Sequence, residues 1–475
     1  MVLSSPQRPH PQEHGSARSW VHSGNAALLT DLYELKMVQA YLREGLTETA
    51  VFDLFARRLP ETRNFLVAAG LDDALHFLET LSFSEGAREY LASLPEFDRE
   101  FADALANFRF EGDVYAVPEG TAVFANEPIL EVLGPLPQAQ LVEAFLLNQI
   151  HYQTLVASKA ARVVQAAGGK PVIEFGLRRT HGTDAGMKAA RAAFIGGAAG
   201  TSNVLAAQVY DIPASGTMAH SYIEAHESEA QAFREYASLY PETVLLADTY
   251  DTLAGVGEVV RLATELGQGF RVSAIRLDSG DLLTLSKKAR ALLDAAGLQR
   301  VSIVASSDLD EYAIARLEAG RAPIDAYAVG TRMGISEDAP HFDSAYKLTE
   351  YAGRGRMKLS PNKSVLPGRK QVFRAEENGI ATGDTIARHD ERLAGRPLLV
   401  PVMRRGQRLP AGSDSLRTAR DRTAAEIAVL PASLRSLKQA QPPYPVNKSA
   451  ALEAERASVR QSIEKTRIQR AKLNR

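Results

Sequence analysis

The chain has 475 residues, of which 45% are hydrophobic and 24% charged, and a formal net charge of −2. That composition excludes a disordered chain, a collagen and a coiled-coil rod, and the near-neutral charge argues against a dedicated nucleic-acid coat. Cysteine is absent, which removes disulfide scaffolds, thiolate metal sites and any cysteine nucleophile. No apolar run reaches the length needed to span a bilayer, so no membrane partner is expected.

Residues 1–24 are rich in Pro, Ser and His and have no apolar periodicity. They read as a disordered, solvated tail; there is no apolar core for a signal peptide. His10 and His14 have i,i+4 spacing, but nearby prolines oppose the helix a metal pair would need. From residue 25 the pattern becomes globular. LTDLYELKMVQAYLREG predicts a helix, AVFDLFARRL (50–59) a strand, and 113–134 short strands punctuated by Pro-Glu-Gly and Asn-Glu-Pro turns. Residues 25–140 are therefore expected to form an N-terminal α+β domain. A long amphipathic helix follows over 138–167, ending at Gly168-Gly169.

Between 141 and 340 one theme repeats. Apolar runs (PVIEF, YDIPASG, TVLLA, VSAIR, VSIVA, DAYAV) stop abruptly in polar or glycine-containing turns, and amphipathic helices such as EVVRLATELG intervene. Alternating strands and helices predict parallel β-structure with right-handed crossovers. No G-x-G-x-x-G follows the first strand, so the expectation is an irregular α/β barrel, with its chemistry at the mouth formed by the strand C-termini. Residues 341–440 read as a β-rich segment completing the N-terminal α+β region, and 441–475 as a basic helical tail, solvated by default and not assigned to nucleic acid.

The six strand ends supply Arg178, Arg179, His181, Thr217, His220, Asp248, Asp251, Arg276, Asp278, Asp281, Ser306, Ser307, Asp308, Gly330 and Thr331. Arginines beside Gly, Ser and Thr turns suit phosphate or carboxylate oxygens, and aspartates suit ribose hydroxyls or Mg²⁺. Each also has a plainer reading: Arg178-Arg179 as a solvated pair, LDSGD as a turn and helix cap, His220 as a structural histidine. FIGGAAGTSN (194–203) lacks a P-loop lysine, and no zincin or α/β-hydrolase motif occurs.

LLTDLYELKM, FLVAAGL, EFGLRRTHG, SGTMAHSYI, LLADTYDT, IRLDSGDL, ASSDLDE and YAVGTRM occur in the order seen in nicotinate phosphoribosyltransferases, a resemblance running from about residue 25 to 440. It implies the fold of a type II phosphoribosyltransferase: an irregular α/β barrel beside an α+β domain built from N-terminal and C-terminal segments. The implied reaction is ligase-type. Nicotinate, phosphoribosyl pyrophosphate, ATP and water give nicotinate mononucleotide, ADP, phosphate and pyrophosphate, for NAD biosynthesis. His220 matches the family's phosphohistidine; Asp248 and Asp278 match acids lining the ribose and pyrophosphate region. Tyr33, Phe175, Arg178, Thr217, Arg276, Ser306, Gly330 and Thr331 match substrate contacts. The resemblance further implies ATP as co-substrate and Mg²⁺, whose ligands it leaves open. It also implies a cytoplasmic homodimer with shared active sites, Tyr33 reaching into the neighbouring subunit. Nearby alternatives are a nicotinamide phosphoribosyltransferase, disfavoured by small residues such as Ala198 where that relative carries an acid; a sugar-phosphate aldolase or isomerase barrel; and an inactive homologue.

Overall fold

The computed structural model describes residues 21–22, 24–360 and 365–473. The tail expected over residues 1–24, with His10 and His14, falls outside this range except for residues 21, 22 and 24.

The strand Thr49–Ala56 is buried at every residue after Thr49, including Asp53, whose carboxylate meets Lys370 at 2.9 Å. It pairs antiparallel with Pro128–Pro135 on one side and Ser344–Tyr351 on the other. Its neighbours extend this into a seven-stranded sheet that also takes in Asp113–Ala116, Arg354–Gly355, Val400–Arg404 and Gln407–Arg408. N-terminal and C-terminal segments are thus hydrogen-bonded into one sheet.

A second antiparallel hairpin, Lys370–Glu377 with Ile380–Arg388, accepts the strand Val446–Lys448 parallel to its second arm. The tail is therefore not a free solvated helix. Helix Ala450–Leu473 follows that strand, and its Leu452 is fully buried in the core of the antiparallel region. Under this sheet Arg374 has no exposed surface: its guanidinium holds Asp384 at 2.7 and 3.0 Å and Glu426 at 2.5 Å, with the rings of Phe124 and Tyr444 5.5 and 6.0 Å away. Glu127 lies beside Asp384, and burial followed by that carboxylate pushes its pKa well up.

The central region is a parallel half-barrel. Its strands are β1 (Val172–Glu174), β2 (Gly200–Thr201), β3 (Val244–Leu246), β4 (Ala274–Leu277), β5 (Ser302–Ala305) and β6 (Ala326–Val329), in the order β2-β1-β6-β5-β4-β3. Every neighbouring pair is parallel. The helices Thr183–Ile195, Thr252–Leu266, Leu282–Ala295 and Glu311–Ala319 make the crossovers. One predicted strand is displaced. YDIPASG makes only an isolated bridge, Ala214 to Thr201, while the ladder strand β2 lies in the glycine-rich run before it. Pro213 has no N–H to give a ladder, whereas Gly200 lets the backbone of Pro213 approach so closely that a Cβ there would lie 2.6 Å from its carbonyl oxygen.

The long helix predicted over 138–167 is broken at Val142 into Leu136–Leu141 and Glu143–Ala166. The second piece buries 15 of its 24 residues, including Lys159 and Arg162. Both cations are paired with Glu311, Lys159 at 2.5 Å and Arg162 at 2.9 Å, and Lys159 also meets Asp338 at 2.8 Å. These pairs lock the helix to the crossover after β5.

Candidate active site

The half-barrel brings six strand ends to one mouth. Phe175 and Gly176 follow β1, Ser202 follows β2, Asp248 lies two residues past β3, Asp278 follows β4, Ser306 follows β5, and Gly330-Thr331 follow β6. The turns after β1 and β6 touch through backbone: Phe175 N–H donates to the Val329 carbonyl at 2.8 Å, and a Cβ on Gly330 would stand 3.0 Å from the Phe175 oxygen. A side chain at 330 would crowd that approach.

His220 opens the short helix His220–Glu224 beyond β2. Its Nδ1 is 3.1 Å from Thr249 Oγ1 and its Nε2 3.7 Å from Asp278 Oδ2. Asp278 is itself held: Ser306 Oγ donates to its Oδ1 at 2.6 Å. Asp248 organises the same turn, accepting the Asp278 N–H at 2.8 Å and the Ser279 hydroxyl at 2.5 Å on one oxygen. Arg276, on β4, donates to Thr217 Oγ1 at 2.5 Å and lies 3.8 Å from Asp278. Burial lowers the Arg276 pKa; Asp278 and Asp248 oppose that, and the nearby Arg178 adds to it. Ser307 carries φ of +104°, a strained backbone at the turn holding Ser306.

Two polar atoms at this mouth are buried without a hydrogen-bond partner among the described residues: Asp248 Oδ1 and Arg276 Nε. Each such atom costs roughly 1–3 kcal/mol of desolvation, a cost relieved when a ligand supplies the missing partner. A donor and an acceptor left open at one mouth suit a ligand carrying both anionic oxygens and hydroxyls.

The structure separates the sequence candidates. His220, Asp248, Asp278, Arg276, Thr217 and Ser306 form one connected hydrogen-bond and charge network. Arg178 stands near enough to act on Arg276, and Phe175, Gly330 and Thr331 sit on the touching turns. Asp251 and Asp281 instead cap helices, accepting the N–H of Ala254 at 2.8 Å and of Thr284 at 3.3 Å. Asp308 is bonded to Arg332 at 3.0 Å, and Arg178, Arg179 and His181 are exposed. Ala198 is fully buried before β2, at the end of the strand away from the mouth; the residue that reaches the mouth there is Ser202, also uncharged. Tyr33 lies on helix Leu32–Glu44 of the antiparallel region, with 46% of its surface exposed. Burial and the neighbouring acids Glu143, Glu34 and Asp31 push its pKa up. Thr249 and Ser279 were missed as site residues, although both lie inside motifs already singled out. A hydroxyl beside an aspartate was the available signal.

Two magnesium-relevant facts stand together. Among the described residues no group of three or more His, Asp or Glu side chains is placed to hold a metal ion, yet Asp248 keeps one oxygen open. That donor set fits Mg²⁺ held by one or two carboxylates plus substrate phosphates, and does not fit an all-protein cage.

Comparison with known proteins gives the family. Residues 28–151 match the nicotinate phosphoribosyltransferase (NAPRTase) N-terminal domain, and residues 171–314 the nicotinate phosphoribosyltransferase (NAPRTase) family. The chain is 54% identical over 434 residues to nicotinate phosphoribosyltransferase pncB2 of Mycobacterium tuberculosis, covering 91% of this chain and 94% of that protein. It is 44% identical over 377 residues to nicotinate phosphoribosyltransferase of Bacillus subtilis, covering 77% of each. Its fold resembles the crystal structure of human nicotinic acid phosphoribosyltransferase (TM-score 0.79, 30% identity, 90% of this chain and 99% of that chain). It also resembles nicotinate-nucleotide pyrophosphorylase from Pyrococcus furiosus (TM-score 0.71, 25% identity, 87% and 98% covered). With its half-barrel, its antiparallel domain and this degree of identity along nearly its whole length, the chain belongs to the nicotinate phosphoribosyltransferase family.

Proposed function

We propose that the half-barrel mouth performs an ATP-coupled transfer through His220, the chain's activity being that of a nicotinate phosphoribosyltransferase in NAD salvage. The observation that carries the mechanism is the clamp on the His220 ring, with Thr249 on Nδ1 and Asp278 facing Nε2. In the tautomer that makes Nε2 the nucleophile, Nδ1–H donates to Thr249 and Nε2 keeps its lone pair. Nε2 attacks the γ-phosphorus of ATP, the bond to the ADP oxygen breaks, and the Asp278 carboxylate balances the positive charge on the ring.

In the second stage the pyridine nitrogen of nicotinate attacks C1 of the phosphoribosyl group while the bond from C1 to pyrophosphate breaks. The transition state has cationic sugar character, so Asp248 and Asp278 stabilise the developing charge and Arg276 faces anionic oxygens. Asp248 and Asp278 are the residues that would hold Mg²⁺, which when bound neutralises the leaving pyrophosphate. Water then cleaves the P–N bond, returning the imidazole and releasing phosphate.

A homodimer is part of this reading. Its support is two exposed apolar surfaces on one chain: Leu29, Leu32 and Tyr33 at 44–46% exposure, and Val204, Leu205 and Val209 at 55–75% on the helix that follows Ser202. Joining the first surface to the second in a partner brings Tyr33 to that partner's mouth. A cytoplasmic location belongs to the same reading, as the family implies; no helix among the described residues is long and apolar enough to cross a membrane.

The test is product analysis with nicotinate or nicotinamide, each with phosphoribosyl pyrophosphate, with and without ATP. Mononucleotide from nicotinate, accelerated by ATP, is expected. Mononucleotide from nicotinamide alone overturns the substrate, and no effect of ATP overturns the coupling.

A further inference from the structure

The basic C-terminal helix has no part in the half-barrel, yet it forms one wall of a groove of about 920 Å³. The other wall is the hairpin of Ser344–Tyr351 with Arg354–Gly355 and the residues just after it. Among the described residues five cations line the groove, Lys347, Arg354, Arg356, Lys358 and Arg467, and no acidic residue does. Lys347 meets Glu143 at 3.2 Å, and the Arg356 guanidinium lies 5.8 Å from the centre of the Tyr351 ring. Arg354, Lys358 and Arg467 have neither an ion pair nor a side-chain hydrogen bond among the described residues.

The remaining lining has the character of a binding surface. Ser458, Ser462 and Thr466 recur every four residues, so their hydroxyls run along one face of the helix toward Arg467. From 458 to 467 that face is about 14 Å long at 1.5 Å per residue. Val459 and Ile463 lie beside the hydroxyls and make part of the wall apolar. The volume falls within the roughly 300–1,000 Å³ typical of small-ligand pockets.

The positive charge is concentrated in the groove. Elsewhere on the helix Arg456 is matched by Glu453 at 3.3 Å and Arg460 by Glu464 at 3.0 Å. Glu455 stands behind Gly355 and Gly368, outside the groove lining, and faces Arg388 at 3.6 Å. Among the described residues, Arg467 is the helix cation that faces the groove and Lys465 lies outside it; the opposite wall adds Arg354 and Lys358. Clustered unpaired cations repel one another, and an anion with several oxygens relieves that repulsion through bidentate guanidinium contacts.

We propose that this groove is a second ligand site, distinct from the half-barrel mouth, that takes a small polyphosphate-bearing molecule. The shared chemistry is a chain of phosphates lying across Arg354, Lys358 and Arg467, with the hydroxyls of Ser458 and Ser462 as further donors, that of Thr466 being given to the Ser462 carbonyl. Its two sources are a nucleoside polyphosphate, whose nucleoside would rest on Val459 and Ile463, and an inorganic polyphosphate.

Hydrogen exchange followed by mass spectrometry on the full-length protein tests this, with inorganic tripolyphosphate and ATP as separate probes. Slowed exchange, by severalfold, is expected in peptides covering 344–358 and 455–467. Protection by both probes identifies phosphate as sufficient; protection by ATP alone assigns a part to the nucleoside. The triple variant Arg354→Glu, Lys358→Glu, Arg467→Glu should lose that protection while keeping ATP protection around 275–282 and its turnover. Should the charge reversals impair folding, the corresponding Gln variants make the same comparison. The proposal is overturned if neither probe protects the two peptides, if protection survives the substitutions, or if only a single-stranded oligonucleotide protects them.

Discussion

The Nε2 of His220 stands 3.7 Å from the carboxylate of Asp278, and that carboxylate is oriented from behind by the hydroxyl of Ser306 at 2.6 Å. The histidine opens the short helix beyond β2 and the aspartate follows β4, so the pair exists only because the half-barrel joins their strands. A carboxylate fixed in this place balances positive charge that forms on the ring during the reaction without reorganising.

Replacing His220 by Ala removes the proposed phosphoryl acceptor. With γ-labelled ATP the wild type should take up acid-labile label, while His220→Ala stays at background and loses stimulation by ATP. An unlabelled wild type would sink the phosphohistidine.

Thr249→Val keeps the side-chain shape and removes the partner of Nδ1. A neutral hydrogen bond is worth about 1 kcal/mol, so labelling should slow by about fivefold with little change in the KM for nicotinate. An unchanged rate of labelling would show that Thr249 does not set the imidazole's orientation.

Ser202→Asp places a carboxylate at the mouth end of β2, where the substrate's own carboxylate is expected. Repulsion between two such charges runs from about 1 kcal/mol in water to about 4 kcal/mol near a protein surface, so the KM for nicotinate should rise by fivefold or more. Ala198→Asp tests the contrary reading. Its site is buried away from the mouth, and loss of stability is expected there in place of a specific KM effect.

Arg374→Met should destabilise the antiparallel domain by about 3–5 kcal/mol in urea unfolding, because Asp384 and Glu426 lose their buried cation. A change under 1 kcal/mol would mean the acids simply take up protons without cost.

His151 stacks on Phe342 with ring centres 4.5 Å apart and bonds Ser344 Oγ at 2.8 Å. Burial, reinforced by His341, lowers its pKa to about 4. The unfolded chain, with a pKa near the ordinary 6.5, therefore binds the proton first as pH falls. The His151 contribution to stability is complete above about pH 6.5 and is lost progressively down to about pH 4, by up to about 3 kcal/mol. His151→Gln should flatten that acid limb in unfolding measured across this pH range. An unaltered limb would place the titrating group elsewhere.

Much of the parallel region was legible along the chain, because each buried strand is a short apolar run ending in a polar turn. Five of the six runs became β1 and β3 to β6; the sixth failed because Pro213 cannot serve a ladder and two residues, Gly200-Thr201, make too short a strand to carry a pattern. His220, Asp248, Asp278 and Arg276 were visible as strand-end chemistry. Asp251 and Asp281 looked the same in sequence and proved to be helix caps, since one aspartate serves either task and only the direction of its carboxylate tells them apart.

By itself the sequence determined the element types and their order, the residue chemistry available at the strand ends, and the family resemblance, all of which rest on local patterns and short motifs. Which strands adjoin was decided by the tertiary structure, through hydrogen bonds between segments hundreds of residues apart such as Val51 and Glu350. It also decided that Thr249 meets His220, that Ser202 and not Ala198 reaches the mouth, and that three unpaired cations gather on the C-terminal helix groove. These are relations of distance and direction between residues remote in the chain, and no local pattern encodes them.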